Sequence, residues 1–166
     1  VSPSQLIAKQ REVVSRMTAD LILETLKSLA DPKRLQVACF KHALVAVSAR
    51  QGLLFGSTGV LFTTGYGAEE VAALRRRFGF LLVDGRLTSY TRKPFVPGTS
   101  VVVRDGSSNG TGDLYGIATA LPAGQVIDAA LLLERDTPFG PGELKSLDLW
   151  MDLMAIPLGA AVEYER

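Results

Sequence analysis

Apolar positions from Ser2 to Ala30 follow a helical period. Ile7, Val14 and Leu21 recur every seven residues with Met17 between them, and Leu6, Val13, Ile22, Leu26 and Leu29 broaden the apolar surface. Ser2 or Ser4 can cap this helix, and Pro3 suits its opening turn. The pair Asp31-Pro32 breaks it, because a residue before proline is biased away from helix. Asp31 can then cap a second helix running to about Ala43. The first helix carries more apolar surface than one face of a domain requires. It is expected to be a core helix, a self-association helix, or both, with Ile7, Val14, Met17 and Leu21 as dimer-interface residues.

From Ala43 the period shortens. Ala43 to Ser48 reads as a β-like run, followed by turns at Gln51-Gly52 and Ser57-Thr58-Gly59 and strands at Leu53 to Phe55 and Val60 to Thr64. Helical character returns from Ala68 to Phe78, with Val71, Leu74 and Phe78 on one side and Gly79 as a stop. Phe80 to Val83 is expected to be a strand entering a hairpin-type turn at Asp84-Gly85, and Leu87 to Tyr90 a strand or short helix. Pro94, Pro97 and Gly98 mark a loop before a strand at Thr99 to Val103. Asp105 to Asp113 is loop-like, and strands at Gly116 to Leu121 and Val126 to Glu134 flank Pro122 to Gln125. A last helix opens near Gly140-Pro141 and carries Leu144, Leu147, Trp150, Met151, Met154 and Leu158, with Glu143 beside its positive end. Pro157 inside it should bend the helix or cost about 3 kcal/mol. No repeat, charge block or linker divides the chain, so residues 1–166 are expected to form one domain, with 1–30 as a signalling or dimerisation helix.

Hydrophobic residues make up 47% and charged residues 21%, which predicts a folded globular chain. The net charge of +1 gives no electrostatic reason for nucleic acid as a direct partner. The single cysteine, Cys39, excludes an internal disulfide; with no secretory leader visible, a cytoplasmic location is expected. A start at Val1 rather than Met suggests a piece of a longer protein. No apolar run is long enough to span a bilayer. One histidine and one cysteine leave too few ligands for a Cys/His zinc site, so no metal or cofactor is expected. A Ser-His-Asp triad would have to use His42, which has no nucleophile signature beside it. The expectation is therefore a protein without catalytic residues.

Two segments carry a family resemblance. SVVVRD (Ser100 to Asp105) resembles a strand-plus-Asp segment common in GAF domains. The stretch Gly116 to Glu163 resembles their closing block: Leu121-Pro122, Gly124-Gln125, Leu131 to Arg135, Pro138-Phe139, then a long amphipathic helix opening with Pro141 and Glu143. The preceding residues match in the order of elements, as they also would in PAS-like or profilin-like domains. The resemblance implies an α+β fold: a central antiparallel sheet with N- and C-terminal helices packed on one face and a ligand cavity on the other. It further implies a non-catalytic sensory or regulatory domain of a larger intracellular bacterial signalling or transcription-regulatory protein. Such a domain would act on an attached output domain by small-molecule binding, by homodimerisation, or by both. Tyr66, Tyr90, Arg92, Arg104 and Tyr115 lie in or beside the loops that would rim the cavity and are its candidate ligand-binding residues. The residue set that marks cyclic-nucleotide binders is missing, since Asn109 is the one asparagine. Cys39, early and in a helix, is poorly placed to attach a bilin, and a methionine sulfoxide reductase of this fold would need more than one reactive cysteine.

Arg104 to Thr111 (RDGSSNGT) resembles a second family, the forkhead-associated phosphopeptide-binding modules, through their Ser-x-Asn-Gly-Thr turn. Those are all-β sandwiches that also need an upstream Gly-Arg and a Ser-x-x-His; here Cys39 precedes His42 at that spacing, and helical patterns occupy both ends of the chain. A phosphopeptide module or a small enzyme of unknown reaction are the alternatives. Asp148 and Asp152 share a helix face, but opposite an apolar stripe they are expected to be solvated, as is most of the triplet Arg75 to Arg77. Trp150 suits the core better than an interface.

Overall fold

The computed structural model describes residues 2–5, 7–9, 11, 32–105, 112–123 and 126–165. Residues 3–5, 7–9 and 11 are helical, as the opening pattern predicts. Ile7 is half exposed; Val14, Met17 and Leu21, and the loop segment 106–111, lie outside the described residues. The elements are α1 (Pro32–Ala46), β1 (Gln51–Gly56), β2 (Gly59–Thr64), α2 (Ala68–Phe78), a 3-10 turn (Gly79–Leu82), β3 (Thr88–Arg92), β4 (Val103–Asp105), β5 (Leu114–Ala123), β6 (Val126–Arg135) and α3 (Pro141–Glu165). The six strands form one antiparallel sheet in the order β2-β1-β6-β5-β3-β4. This is the expected α+β class. A single sheet backed by helices also rules out the two-sheet sandwich that a forkhead-associated module needs.

Alternation along β6 builds two cores. Leu131 and Leu133 face α1 and α3, where they meet Leu35, Cys39, Phe40, Ala43, Trp150, Met151 and Met154. Ala130 and Leu132 face α2 and the 3-10 turn, among Leu53, Phe55, Leu74, Phe78, Leu81 and Tyr90. A strand buried on both faces reads as a continuous apolar run, which is what Ala129 to Leu133 supplies. Each fully buried Leu or Phe contributes roughly 1.5–3 kcal/mol.

Four expectations are corrected. Ala43 to Ser48 is not a strand: α1 continues to Ala46, because Leu35, Cys39, Ala43 and Val47 repeat every four residues and are all buried. Ser48, at φ 53°, turns the chain toward β1 and is the one non-glycine with positive φ among the described residues. Phe80 to Val83 is largely 3-10 helix, burying Leu81 while Phe80 and Val83 are exposed. Short apolar runs fit either period. Asp84-Gly85 is accordingly not a hairpin turn; Gly85 O instead accepts from Ala120 N of β5 at 3.0 Å. The strand expected at Thr99 to Val103 begins at Val103. Helix α3 runs on through Pro157 to Glu165.

Candidate functional site

The α2-facing side of the sheet holds a buried ionic network whose members come from four elements and the turn before α2. Sheet register aligns Gln51 of β1, Glu134 of β6, Gly116 of β5 and Tyr90 of β3 in one row. Gly116 is the window in that row: a Cβ there would sit inside the Tyr90 ring. Without it the ring crosses β5 and Tyr90 donates its hydroxyl to Glu134 Oε2. Arg92, two residues further along β3, faces the same side. It clamps the carboxylate with Nε on Oε2 at 2.7 Å and Nη2 on Oε1 at 2.7 Å. Tyr66 Oη donates to Oε1 at 2.7 Å and Gln51 Nε2 to Oε1 at 2.8 Å. Arg92 Nη2 also reaches Glu70 Oε2 of α2 at 2.7 Å, tying the helix to the sheet.

Glu134 is fully buried and Arg92 nearly so, at 0% and 1% exposure. Burial alone would push Glu134 up, but the hydrogen bonds and charge of Arg92, then the hydroxyls of Tyr90 and Tyr66, hold it below the ordinary carboxylate range. Burial works against the Arg92 charge as well, and the bonds to Glu134 and Glu70 outweigh it, so its pKa is raised. Both tyrosines are pushed up, first by burial and then by the Glu134 charge. At neutral pH the cluster is a carboxylate, a guanidinium and two neutral phenols.

Beside the network lies a cleft of about 380 Å³, lined among others by Arg50, Gln51, Glu70, Phe95, Leu114 and Asp136. Gln51 and Glu70 belong to both the network and the cleft wall. Glu69 Oε1 accepts from Gly98 N at 3.0 Å and holds the 94–98 loop against α2.

Of the five residues expected at the cavity, Tyr66, Tyr90 and Arg92 converge on Glu134 in the buried network, and none of the five is among the residues lining the cleft. Arg104 and Tyr115 do not join them. Both pair with Thr91, one residue out of step with the Tyr90 row, so they face the α1/α3 side of the sheet. Arg104 is exposed and Tyr115 half-buried. Glu134, Gln51 and Glu70 were not anticipated. A signal for Glu134 existed: it shares the parity of Ala130 and Leu132 on a strand buried on both faces, so its charge needed a partner.

Elsewhere, Cys39 is fully buried on the α1/α3 side, and burial pushes its thiol up to about 12. Asp148 and Asp152 are exposed, as are Arg76 and Arg77. Trp150 is in the core. Among the described residues no cluster of three or more His, Cys, Asp or Glu side chains could hold a metal, and no helix is long and apolar enough to cross a membrane.

The architecture is that of a GAF domain. The phycoerythrobilin-bound GAF domain from a cyanobacterial phytochrome is similar with a TM-score of 0.55 at 10% identity, over 95% of this chain and 98% of that one. The GAF domain/HD domain protein of Geobacter sulfurreducens gives a TM-score of 0.50 at 14% identity, over 84% and 97%. The photosensory core module of the Stigmatella aurantiaca phytochrome gives 0.58 at 11% identity, over 99% of this chain and 39% of that one. No family model and no curated protein matches the chain.

Proposed function

We propose that the chain is one non-catalytic regulatory domain of a larger bacterial signalling or transcription-regulatory protein, cytoplasmic, and controlled by small-molecule binding, by dimerisation, or by both. The observation that carries this reading is the saturation of Glu134. Glu134 accepts from Arg92, Tyr90, Tyr66 and Gln51, and both phenols spend their protons on it. Glu134 and the two phenols leave no free base or nucleophile among them, while a cleft of ligand size lies beside the network. A polar wall whose hydrogen bonds are spent on a buried carboxylate, next to a concavity, suits recognition better than catalysis. The similar solved domains, two of them from phytochromes, favour a sensory role with an attached output domain.

Support for pairing comes from α3. Leu149, Leu153 and Ile156 are 56%, 39% and 73% exposed and lie on one helix face. Together with Ile7, Val14, Met17 and Leu21 they would form the surface between two copies.

The test is a thermal-shift screen of several hundred metabolites, joined to sedimentation at high micromolar concentration. A ligand that binds the folded form raises the melting temperature with concentration. A screen that moves nothing, combined with a strictly monomeric species, would remove both arms of the proposal.

A further inference from the structure

The polarity of the cleft is dictated by what the network has already taken. Gln51 commits its Nε2 to Glu134, so its amide oxygen is left to accept. Arg92 takes Glu70 Oε2, while Glu70 Oε1 accepts no hydrogen bond from a described residue, and the side chain is 15% exposed. Asp136, on the cleft wall beside its partner, takes Arg50 Nη1 on both oxygens at 2.9 and 3.1 Å and keeps lone pairs facing water. Charge points the same way. Arg50 and Arg92 stand against Glu70, Asp136 and Glu134, an excess of one negative charge, and the nearby Lys93–Asp113 pair at 2.7 Å adds one of each sign. Pro94, Phe95 and Leu114 supply the apolar part of the lining.

We propose that this cleft takes a small organic cation, an ammonium or amidinium group carried on an aromatic or aliphatic body. The cation sits against Glu70 and Asp136 and the body against Phe95 and Leu114. The inference rests on reading the domain as a small-molecule binder and names the ligand class for it. Ion pairing to a carboxylate and stacking over Phe95 are both available to such a group.

Three probes of one shape separate charge from fit: benzylamine, benzyl alcohol and benzoate, titrated into ¹⁵N-labelled protein and followed by amide shifts and calorimetry. Benzylamine is expected to shift the Gly112 and Leu114 amides and the Gln51 side-chain amide, and to bind about tenfold more tightly than the other two. Glu70→Gln should weaken it roughly fivefold, and so should Asp136→Asn. The first variant keeps the Arg92 clamp on Glu134, and the second lies outside the network, so both should fold. Benzoate binding as well as benzylamine overturns the charge assignment and leaves the cleft as a binding site. Benzylamine binding unchanged in both variants overturns the placement of the cation. Silence of all three at millimolar concentration overturns the inference, while a hit in the metabolite screen would leave the broader reading standing.

Discussion

Replacing Arg92 with Met removes the cation beside Glu134 and preserves most of the side-chain volume. The buried carboxylate then keeps only the hydroxyls of Tyr66 and Tyr90 and the Gln51 amide, and Glu70 loses its partner as well. Breaking a buried pair by removing one member costs about 3–5 kcal/mol, because the other charge stays buried. For a chain of this size that is a melting-temperature drop of roughly 6–20 °C. The pH dependence is the sharper diagnostic. In the wild type the folded pKa of Glu134 lies below the ordinary carboxylate range. Its stabilisation is therefore present above that range and lost as pH falls through the lowered value. In the variant only the two phenols and the Gln51 amide oppose burial, the largest single influence on Glu134, so the folded pKa is expected to rise above the unfolded one and the folded state to bind the extra proton. Stability then increases as pH falls through the raised value, so the deficit is largest at neutral pH and shrinks toward pH 5. Urea unfolding followed through the single tryptophan, Trp150, which is 2% exposed, measures both quantities between pH 5 and pH 8. Adding Glu134→Leu to Arg92→Met should recover part of the loss, since an apolar replacement of a buried pair is often near neutral. A loss under about 1 kcal/mol with an unchanged pH slope would refute the claim that Arg92 neutralises a buried charge.

Gly116→Ala should cost about 1–3 kcal/mol by driving the Tyr90 ring off Glu134, seen in the same urea titration, whereas Gly112→Ala, in open space but at φ 80°, should act only through backbone strain. Arg135 bonds Val47 O, Thr137 O, Pro138 O and Glu143 and lies 4.0 Å from the Phe139 ring centroid; Arg135→Lys cannot reproduce that fork and should destabilise by about 1–2 kcal/mol. Cys39, with its thiol pushed up to about 12, should resist a thiol reagent at pH 8 in the folded protein and react at once in denaturant; prompt labelling of the native state would contradict its burial. Leu153→Glu should lower the dimer population in sedimentation without lowering the melting temperature of the monomer, because Leu153 is 39% exposed.

Local pattern alone was enough for much of the scaffold. Ala68–Phe78 is helical as predicted, ending at Gly79, and β5, β6 and α3 lie where alternation and the Pro141 start signal put them. The class of fold was legible in the same way, because these periods report which residues share a face with their near neighbours. Three residues of the network, Tyr66, Tyr90 and Arg92, could be picked out as polar groups near expected loops.

Their common partner could not. Glu134 meets Tyr90 only because strands 44 positions apart in the chain share a register across Gly116, and a strand's period says nothing about which distant strand lies beside it. The same ignorance of facing direction placed Arg104 and Tyr115 in the cavity, although a one-residue offset turns them to the other side of the sheet. Helix and strand were equally undecidable for Ala43 to Ser48 and Phe80 to Val83. Four or five apolar residues satisfy both periods, and only packing against β1 and beneath β6 and β5 selects between them. Sequence set the local periods; long-range packing chose the faces, and with them the charge of the cleft.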